Sequence, residues 1–195
     1  MQRRQLITLA ALPFASSAAR AAPTTVRTRV DTPLGPFVIE VDTTVAPITV
    51  ANYLAYVDAH QLDRAWVYRL VTLANQPQST HKIEVVQWGL NLKDDAPPLR
   101  PAIAHETTKQ TGLRHRDGTI SMARGAPGTA TAEFFICLGD QPELDFGGRR
   151  NPDGQGFAAF GQVVQGMEVV RALHARGGAE QWLAAPIAIG PVKRV

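Results

Sequence analysis

The chain has 195 residues, of which 45% are hydrophobic and 19% charged, and its formal net charge is +3. These proportions exclude an intrinsically disordered chain and suit one globular domain, with or without a targeting segment. The 16 glycines and 14 prolines favour many turns and short strands over long helices.

Residues 1–21 have the pattern of a signal peptide, which leaves residues 22–195 as the mature domain. Two arginines open the segment, a mostly apolar stretch follows, and Ala19-Arg20-Ala21 supplies the small-x-small cleavage pattern. The apolar stretch is too short and too interrupted to be a stable membrane span. We therefore expect export to the periplasm, through either the Sec route or the twin-arginine route that the paired arginines resemble.

The positive charge lies in this same segment. Residues 1–21 hold three arginines and no acid, so their removal takes the formal net charge from +3 to 0. Without a net positive field the mature chain has no electrostatic means of gathering nucleic acid. We expect a monomer that binds no nucleic acid.

The first predicted elements are a hairpin and a helix. Extended residues 22–30 and the strand Phe37–Val41 flank a turn at Asp31–Gly35. Pro47 then suits the first turn of a helix. The apolar residues of that helix recur at i, i+3, i+4 and i+7, which predicts one buried face: Val50, Tyr53, Leu54 and Val57.

The rest of the chain is predicted to be mainly short strands. Apolar runs bounded by turn residues predict strands at 65–72, 84–88, 118–123, 133–138, 157–164 and 187–195. Met167, Val170 and His174 mark a second short helix that is predicted to end at Gly177-Gly178, and no regular element is predicted within 91–118. About eight short strands and two helices indicate a mainly β domain, in which the strands close into a barrel or a sandwich and the helices cover its open ends.

Patterns for hydrolysis or metal binding are missing from the sequence. His105-Glu106 lacks the second histidine of a zinc-protease helix, and there is no Gly-rich phosphate loop and no G-x-S-x-G elbow. The single cysteine, Cys137, lies in an apolar strand, where a small buried side chain is a better interpretation than a nucleophile. We expect no metal site and no cofactor.

An ordered series of motifs runs through the chain. It comprises Ala46–Leu54, Tyr68–Val71, Val85–Gly89, Gly118–Arg124, Pro127–Thr131, Glu133–Cys137, Leu144-Asp145 and Phe157–Met167. The series closely resembles the cyclophilins, most closely their exported bacterial members, from about residue 26 to 194. The resemblance implies a closed eight-stranded antiparallel β-barrel capped by two α-helices. It also implies cofactor-independent cis/trans isomerisation of X-Pro bonds, with proline-containing polypeptides as partners.

The resemblance also assigns residues to roles. Arg69 matches the catalytic arginine, and Gln87 matches the glutamine that binds substrate backbone and orients it. The matches to substrate-binding positions are Val85, Met122, Ala123, Arg124, Glu133, Phe135, Leu144 and Phe157. The alternative for Arg69 is a surface arginine that pairs with an acid, and for the apolar matches it is plain core packing.

Departures from the family pattern leave two functions open. About ten extra residues separate Arg69 from Gln87, Glu84 stands where a pocket phenylalanine is expected, and Phe157 replaces a polar residue. A carboxylate in an apolar pocket would be costly unless it points away, in which case Ile83 would fill the gap. The first hypothesis is an exported isomerase, and the second is a weakly active or inactive module that binds proline-containing segments as a chaperone.

Overall fold

The computed structural model describes residues 24–90 and 98–195. The predicted signal peptide, residues 1–21, lies outside the described residues. Within them, nine strands occur: β1 (Thr25–Val30), β2 (Phe37–Asp42), β3 (Trp66–Val71), β4 (Val85–Gly89), β5 (Thr119–Met122), β6 (Glu133–Cys137), β7 (Ala158–Gln165), β8 (Trp182–Ala188) and β9 (Val192–Arg194). Three α-helices accompany them: α1 (Pro47–Asp58), α2 (Thr108–Thr111) and α3 (Met167–His174).

All nine strands belong to one curled antiparallel sheet. Their order across the sheet is β8-β3-β4-β6-β5-β7-β2-β1-β9, so β8 and β9 are its two edges. The mainly β prediction is confirmed. The predicted count of eight strands is wrong, and in the described parts of the chain no ladder joins β8 to β9, so the sheet is a half-barrel by its pairing.

The ninth strand arises because the predicted strand 187–195 is interrupted. Gly190 and Pro191 break it, and a proline cannot donate to a ladder. Across this break the chain changes partners: the Ile189 N–H donates to the Ala65 carbonyl at 2.9 Å, next to β3, and the Gly190 N–H donates to the Asp31 carbonyl at 2.8 Å, next to β1. The same short segment therefore bonds to both ends of the sheet.

The two faces of the sheet bury two different apolar clusters. Successive side chains on a strand point to opposite faces, and on β6 this places Phe134 and Ile136 in the main core. Phe135 and Cys137 point the other way, into a smaller cluster with Leu144. The smaller cluster lies on the outer face, where it forms the floor of the candidate site.

Both predicted helices are confirmed, and a third was missed. The four apolar residues predicted for the face of α1 are all buried. The Glu106 carboxylate satisfies the exposed N-terminus of α1, accepting from the Thr49 N–H at 2.7 Å and the Ile48 N–H at 3.2 Å. The missed helix, α2, has only four residues and no apolar periodicity, but it begins with a capping box of Thr107 and Gln110.

Candidate active site

A bulge in β3 turns Arg69 toward the outer face. The register with both β4 and β8 shifts between Val67 and Arg69, so Tyr68 is an extra residue with no partner in either ladder. Val67 and Arg69 would share a face in a regular strand. Instead Val67 lies in the main core while Arg69 lies over the smaller cluster.

The Arg69 guanidinium is held by two neutral amides. Its Nη1 donates to Gln87 Oε1 at 3.0 Å, and its Nε and Nη2 donate to Gln181 Oε1 at 3.0 and 2.6 Å. The Trp182 ring lies beneath the guanidinium, 5.5 Å from ring centroid to Cζ. Among the described residues no acid forms an ion pair with Arg69, so its charge is oriented without being neutralised. Burial lowers the pKa of Arg69, but an arginine starts from so high a value that it stays charged.

Tyr68 fixes the orientation of Gln87. The Gln87 Nε2 donates to the Tyr68 hydroxyl at 2.8 Å, and that hydroxyl donates to Glu133. Burial, followed by the negative charge of Glu133, raises the pKa of Tyr68, so the hydroxyl keeps its proton. The Gln87 amide thus presents its oxygen to Arg69 and its nitrogen to Tyr68, which settles which end faces the guanidinium.

Arg69 and Gln87 share a cavity of about 260 Å³ with an apolar floor. The lining residues are Arg69, Ile83, Val85, Gln87, Ala123, Arg124, Phe135, Leu144, Arg150, Asn151 and Phe157. The cavity is smaller than the roughly 300–1,000 Å³ of pockets for drug-sized ligands, which suits a single small ring. A larger cleft of about 480 Å³, bordered by Glu40 and Arg114, contains none of the predicted site residues.

Most of the predicted residues come together in this cavity. The lining includes both predicted catalytic residues and six of the predicted substrate-binding positions, namely Val85, Ala123, Arg124, Phe135, Leu144 and Phe157. Their roles in substrate binding stay predictions.

Met122 and Glu133 do not line this cavity. Met122 is 1% exposed in the main core, because alternation along the chain places its neighbour Ala123 on the outer face instead. Glu133 lines an adjacent cavity together with Gln87, Ala123 and Thr131. Met122 therefore lies on the core side of the site, and Glu133 lies beside the cavity.

The long loop between β3 and β4 places Ile83, and not Glu84, in the apolar floor of the cavity. Ile83 is 6% exposed and packs in the smaller cluster with Val85 and Phe135. Glu84 is not among the cavity-lining residues. The apolar floor is therefore completed by Ile83, the substitution that the sequence left open.

The loop between β6 and β7 is fastened beside the cavity by Arg124. Its guanidinium bonds Asp153 through two nitrogens at 2.8 and 3.0 Å, donates to the Gly156 carbonyl, and lies 5.2 Å from the centroid of the Phe157 ring. The Arg124 side chain is only 1% exposed. The bonds from Arg124, followed by the bond from the Gln155 N–H at 2.8 Å, lower the pKa of Asp153 to about 2. Arg124 therefore stabilises the loop that forms one wall of the cavity.

A buried histidine supports the floor from below. His115 Nδ1 lies 2.8 Å from Asp145 Oδ1, its Nε2 lies 2.9 Å from Ser121 Oγ, and its ring stacks on Phe135 with centroids 5.9 Å apart. Burial pushes the pKa of Asp145 upward, but the bonds from His115 outweigh it and keep that pKa below its usual value. Because Ser121 is fully buried, this Ser-His-Asp arrangement is structural and has no access to a substrate.

Sequence reasoning missed four residues of the site, Gln181, Trp182, Arg150 and its neighbour Asn151. Gln181 and Trp182 come from a segment that carries no motif, and Arg150 comes from the Gly/Pro-rich loop between β6 and β7. Within residues 24–90 and 98–195, no cluster of three or more His, Cys, Asp or Glu side chains could hold a metal ion. In the same parts of the chain, no helix is long and apolar enough to cross a membrane.

Comparison with known proteins gives one consistent family. Residues 25–193 match the family described as cyclophilin type peptidyl-prolyl cis-trans isomerase/CLD. A peptidyl-prolyl cis-trans isomerase of Streptomyces antibioticus is 31% identical over 144 residues, which cover 73% of this chain and 80% of that protein. Peptidyl-prolyl cis-trans isomerase A of Dickeya dadantii is 32% identical over 156 residues, which cover 80% of this chain and 74% of that protein.

Solved structures agree on the fold. A crystal structure of a cyclophilin type peptidyl-prolyl cis-trans isomerase from Cryptosporidium parvum superimposes with a TM-score of 0.70 at 17% identity, covering 88% of this chain and 98% of that one. The sequence match spans both sides of the cavity, from the bulged strand that carries Arg69 to the segment that carries Gln181. The chain belongs to the cyclophilin-type peptidyl-prolyl cis-trans isomerase family.

Proposed function

We propose that this chain catalyses cis/trans isomerisation of X-Pro peptide bonds at the cavity beside Arg69. One observation carries the proposal: the Arg69 guanidinium, which has no acidic partner among the described residues, lies at the edge of a small cavity with an apolar floor, oriented by Gln87 and Gln181. The family and the named relatives support the same activity. The reaction needs no cofactor.

The chemistry required is the stabilisation of a twisted amide. Rotation about a peptide bond is opposed by a barrier of about 18–20 kcal/mol, because the C–N bond has partial double-bond character. At mid-rotation this conjugation is lost and the prolyl nitrogen becomes a hydrogen-bond acceptor. If the apolar floor holds the proline ring, the rigid, charged Arg69 can donate to the twisted form better than to either planar form. That difference in binding lowers the barrier without a covalent bond.

The test is isomerisation of a short X-Pro peptide, measured by NMR exchange with wild type and Arg69→Ala. We expect strong acceleration by the wild type and a loss of roughly one to three orders of magnitude in kcat/KM for the variant, as for removal of one transition-state donor. Arg176→Ala is the matched control, because Arg176 is exposed and lies outside the cavity. A folded wild type that accelerates nothing would refute the proposal.

A second candidate function is a module that binds proline-containing segments and turns them over poorly. The hydrogen bonds of Arg69 favour this second function. Its Nε, Nη1 and Nη2 all donate within the protein, which leaves fewer N–H groups to stabilise a twisted substrate amide. Saturable binding of an X-Pro peptide by calorimetry, without any change in its exchange rate, would establish this function. Glu84 gives it no support, because that residue does not line the cavity.

We also propose that the mature domain acts on exported proteins in the periplasm. The support is the signal-peptide pattern of residues 1–21. N-terminal sequencing of the protein recovered from a periplasmic extract should begin at Ala22. Recovery of the intact chain only from the cytoplasm would contradict this.

We further infer that the sheet closes into a barrel through residues 182–194. The support is the pair of backbone bonds by which Ile189 reaches Ala65 and Gly190 reaches Asp31. Hydrogen exchange should then show the Ile189 and Gly190 amides protected to the same degree as amides in central β6. Rapid exchange at both amides would indicate an open sheet edge. Sedimentation of the same sample should give the mass of a monomer.

A further inference from the structure

The cavity that holds Arg69 carries an excess of positive charge on the side chains that the structure describes around it. Among the described residues that border it, three are arginines, Arg69, Arg124 and Arg150, and none is Asp or Glu. A cavity with an apolar floor and an excess of positive charge at its edge can bind a proline ring. It also discriminates by charge among the residues next to that proline.

One of the three charges is already neutralised. Arg124 forms a two-nitrogen ion pair with Asp153 at 2.8 and 3.0 Å. Glu143, whose carbonyl accepts from the Arg150 N–H, has its carboxylate engaged by Arg149 at 3.2 Å and by the His81 Nδ1 at 3.6 Å. Neither carboxylate is therefore available to the other two arginines.

Arg150 carries the charge that remains beside Arg69. Its Nη1 donates to Ser79 Oγ at 2.8 Å and to the His81 carbonyl at 3.0 Å, which fastens it to the long β3–β4 loop. Its Nε and Nη2 have no partner among the described residues, and it forms no ion pair there. Burial lowers the pKa of Arg150. The pKa of Arg69 is likewise lowered, first by burial and then by the charge of Arg150.

Two partly desolvated guanidinium groups therefore share one small cavity and repel each other. A carboxylate placed between them would relieve that repulsion and give each an ionic hydrogen bond, which is stronger than a neutral one. The planar, multi-donor guanidinium is well suited to hold a carboxylate. Because the cavity has room for little more than the proline ring, only a residue adjacent to the proline can supply that group.

We propose that this isomerase prefers substrates with an acidic side chain, Asp or Glu, directly next to the proline, and that Arg150 is the residue that determines this preference. The inference rests on the proposed isomerase function, which it deepens by naming the substrate class. It predicts discrimination by charge, so an amide of the same shape should be a poorer substrate.

The experiment compares four peptides that differ only next to proline: Glu-Pro, Gln-Pro, Pro-Glu and Pro-Gln, each with blocked ends. Exchange rates are measured by NMR, without a coupling protease, for wild type, Arg150→Gln and Arg176→Gln. In one of the two pairs we expect wild-type kcat/KM for Glu to exceed that for Gln by about two- to fivefold, the size of a partly exposed ion pair. Arg150→Gln should bring that ratio to about one.

Arg176→Gln is the matched control, because Arg176 is an exposed arginine that does not line the cavity. It should keep the wild-type preference. Raising the salt from about 0.05 to 0.5 M should shrink the preference, since screening weakens partly exposed pairs.

Each failure has a distinct meaning. Equal acceleration of the Glu and Gln peptides would overturn this inference and leave the isomerase intact. A preference that survives in Arg150→Gln would overturn the role of Arg150. No acceleration of any peptide would instead refute the proposed function.

Discussion

At the scale of single residues, the site depends on how Arg69 is held. A guanidinium on a flexible stem is useful to catalysis only if its donors are already oriented, and Gln181 provides two of the three bonds that orient it. Gln181 is itself fixed, because its Nε2 donates to the Asn75 carbonyl at 3.0 Å. Gln181 is therefore a positioning residue that the motif series does not contain.

Replacing Gln181 should reduce activity more than stability. Gln181→Ala leaves the Arg69 Nε and Nη2 without their acceptor, so we expect kcat/KM for an X-Pro peptide to fall about three- to tenfold, the value of a typical hydrogen bond. The midpoint of urea unfolding should change little. Glu180→Ala, at the exposed neighbouring position, is the control. An unchanged kcat/KM in Gln181→Ala would show that Gln87 alone is enough to orient Arg69.

His115 contributes to stability in a way that an exposed histidine cannot. His115→Ala removes a fully buried ring, leaves the Ser121 hydroxyl without its partner, and takes from the Asp145 carboxylate the ring nitrogen that bonds it at 2.8 Å. We expect the free energy of unfolding to fall by about 2–4 kcal/mol, as measured by urea titration. His60→Ala, at a side chain that is 73% exposed, should change it by less than about 0.5 kcal/mol. Similar losses in both variants would contradict the assigned role.

At the scale of elements, the active face is made by a bulge and two loops. The bulge at Tyr68 decides which face Arg69 occupies, and the β3–β4 loop delivers Ile83 to the floor. The β6–β7 loop delivers Arg150 and is fastened by the ion pair of Arg124 with Asp153. The site is therefore built from irregular segments held on a regular sheet, which is the usual arrangement for functional residues.

The Arg124–Asp153 fastening should depend on acid pH. The pKa of Asp153 is lowered from 3.8 to about 2 in the folded protein. Its contribution to stability is therefore complete above pH 3.8 and disappears as the pH falls toward 2. Asp153→Asn should lower the melting temperature at pH 7, and the difference from wild type should shrink steadily between pH 4 and pH 2.

The control for this titration is Glu84→Gln. It also removes one carboxylate, but no hydrogen bond or ion pair of the Glu84 side chain is present among the described residues. Its melting temperature should follow that of wild type across the same pH range. A gap between Asp153→Asn and wild type that stays constant down to pH 2 would show that the ion pair contributes nothing.

At the scale of the whole molecule, the sequence predicted those features that follow from the regular alternation of side chains along a strand. Short apolar runs place Phe135 and Val85 on one face of neighbouring strands, so an ordered series of motifs was enough to bring Arg69, Gln87 and the apolar floor together. Met122 was misplaced because the motif names a residue without stating its face. Gln181 lies 112 residues from Arg69 and belongs to no motif, so only the folded chain reveals their contact.

The sheet was predicted less completely for a related reason. Strand count depends on where ladders break, and the break at Gly190-Pro191 falls inside a run that otherwise favours one continuous strand. The change of partner there is a long-range property, since β9 pairs with β1 from the opposite end of the chain. No local pattern specifies it.

That change of partner has a consequence for how the molecule becomes active during folding. The segment from Gln181 to Arg194 supplies the acceptor that orients Arg69. It also contains β8 and β9, the two edge strands of the sheet. Pairings of such high sequence separation form late, because the loop they close is costly in entropy. A chain whose other strands had already assembled would still lack the two bonds that Gln181 accepts from Arg69, so full catalytic competence and the last folding step should arrive together. The rate of isomerisation should therefore follow the fraction of chains that have completed the last folding step.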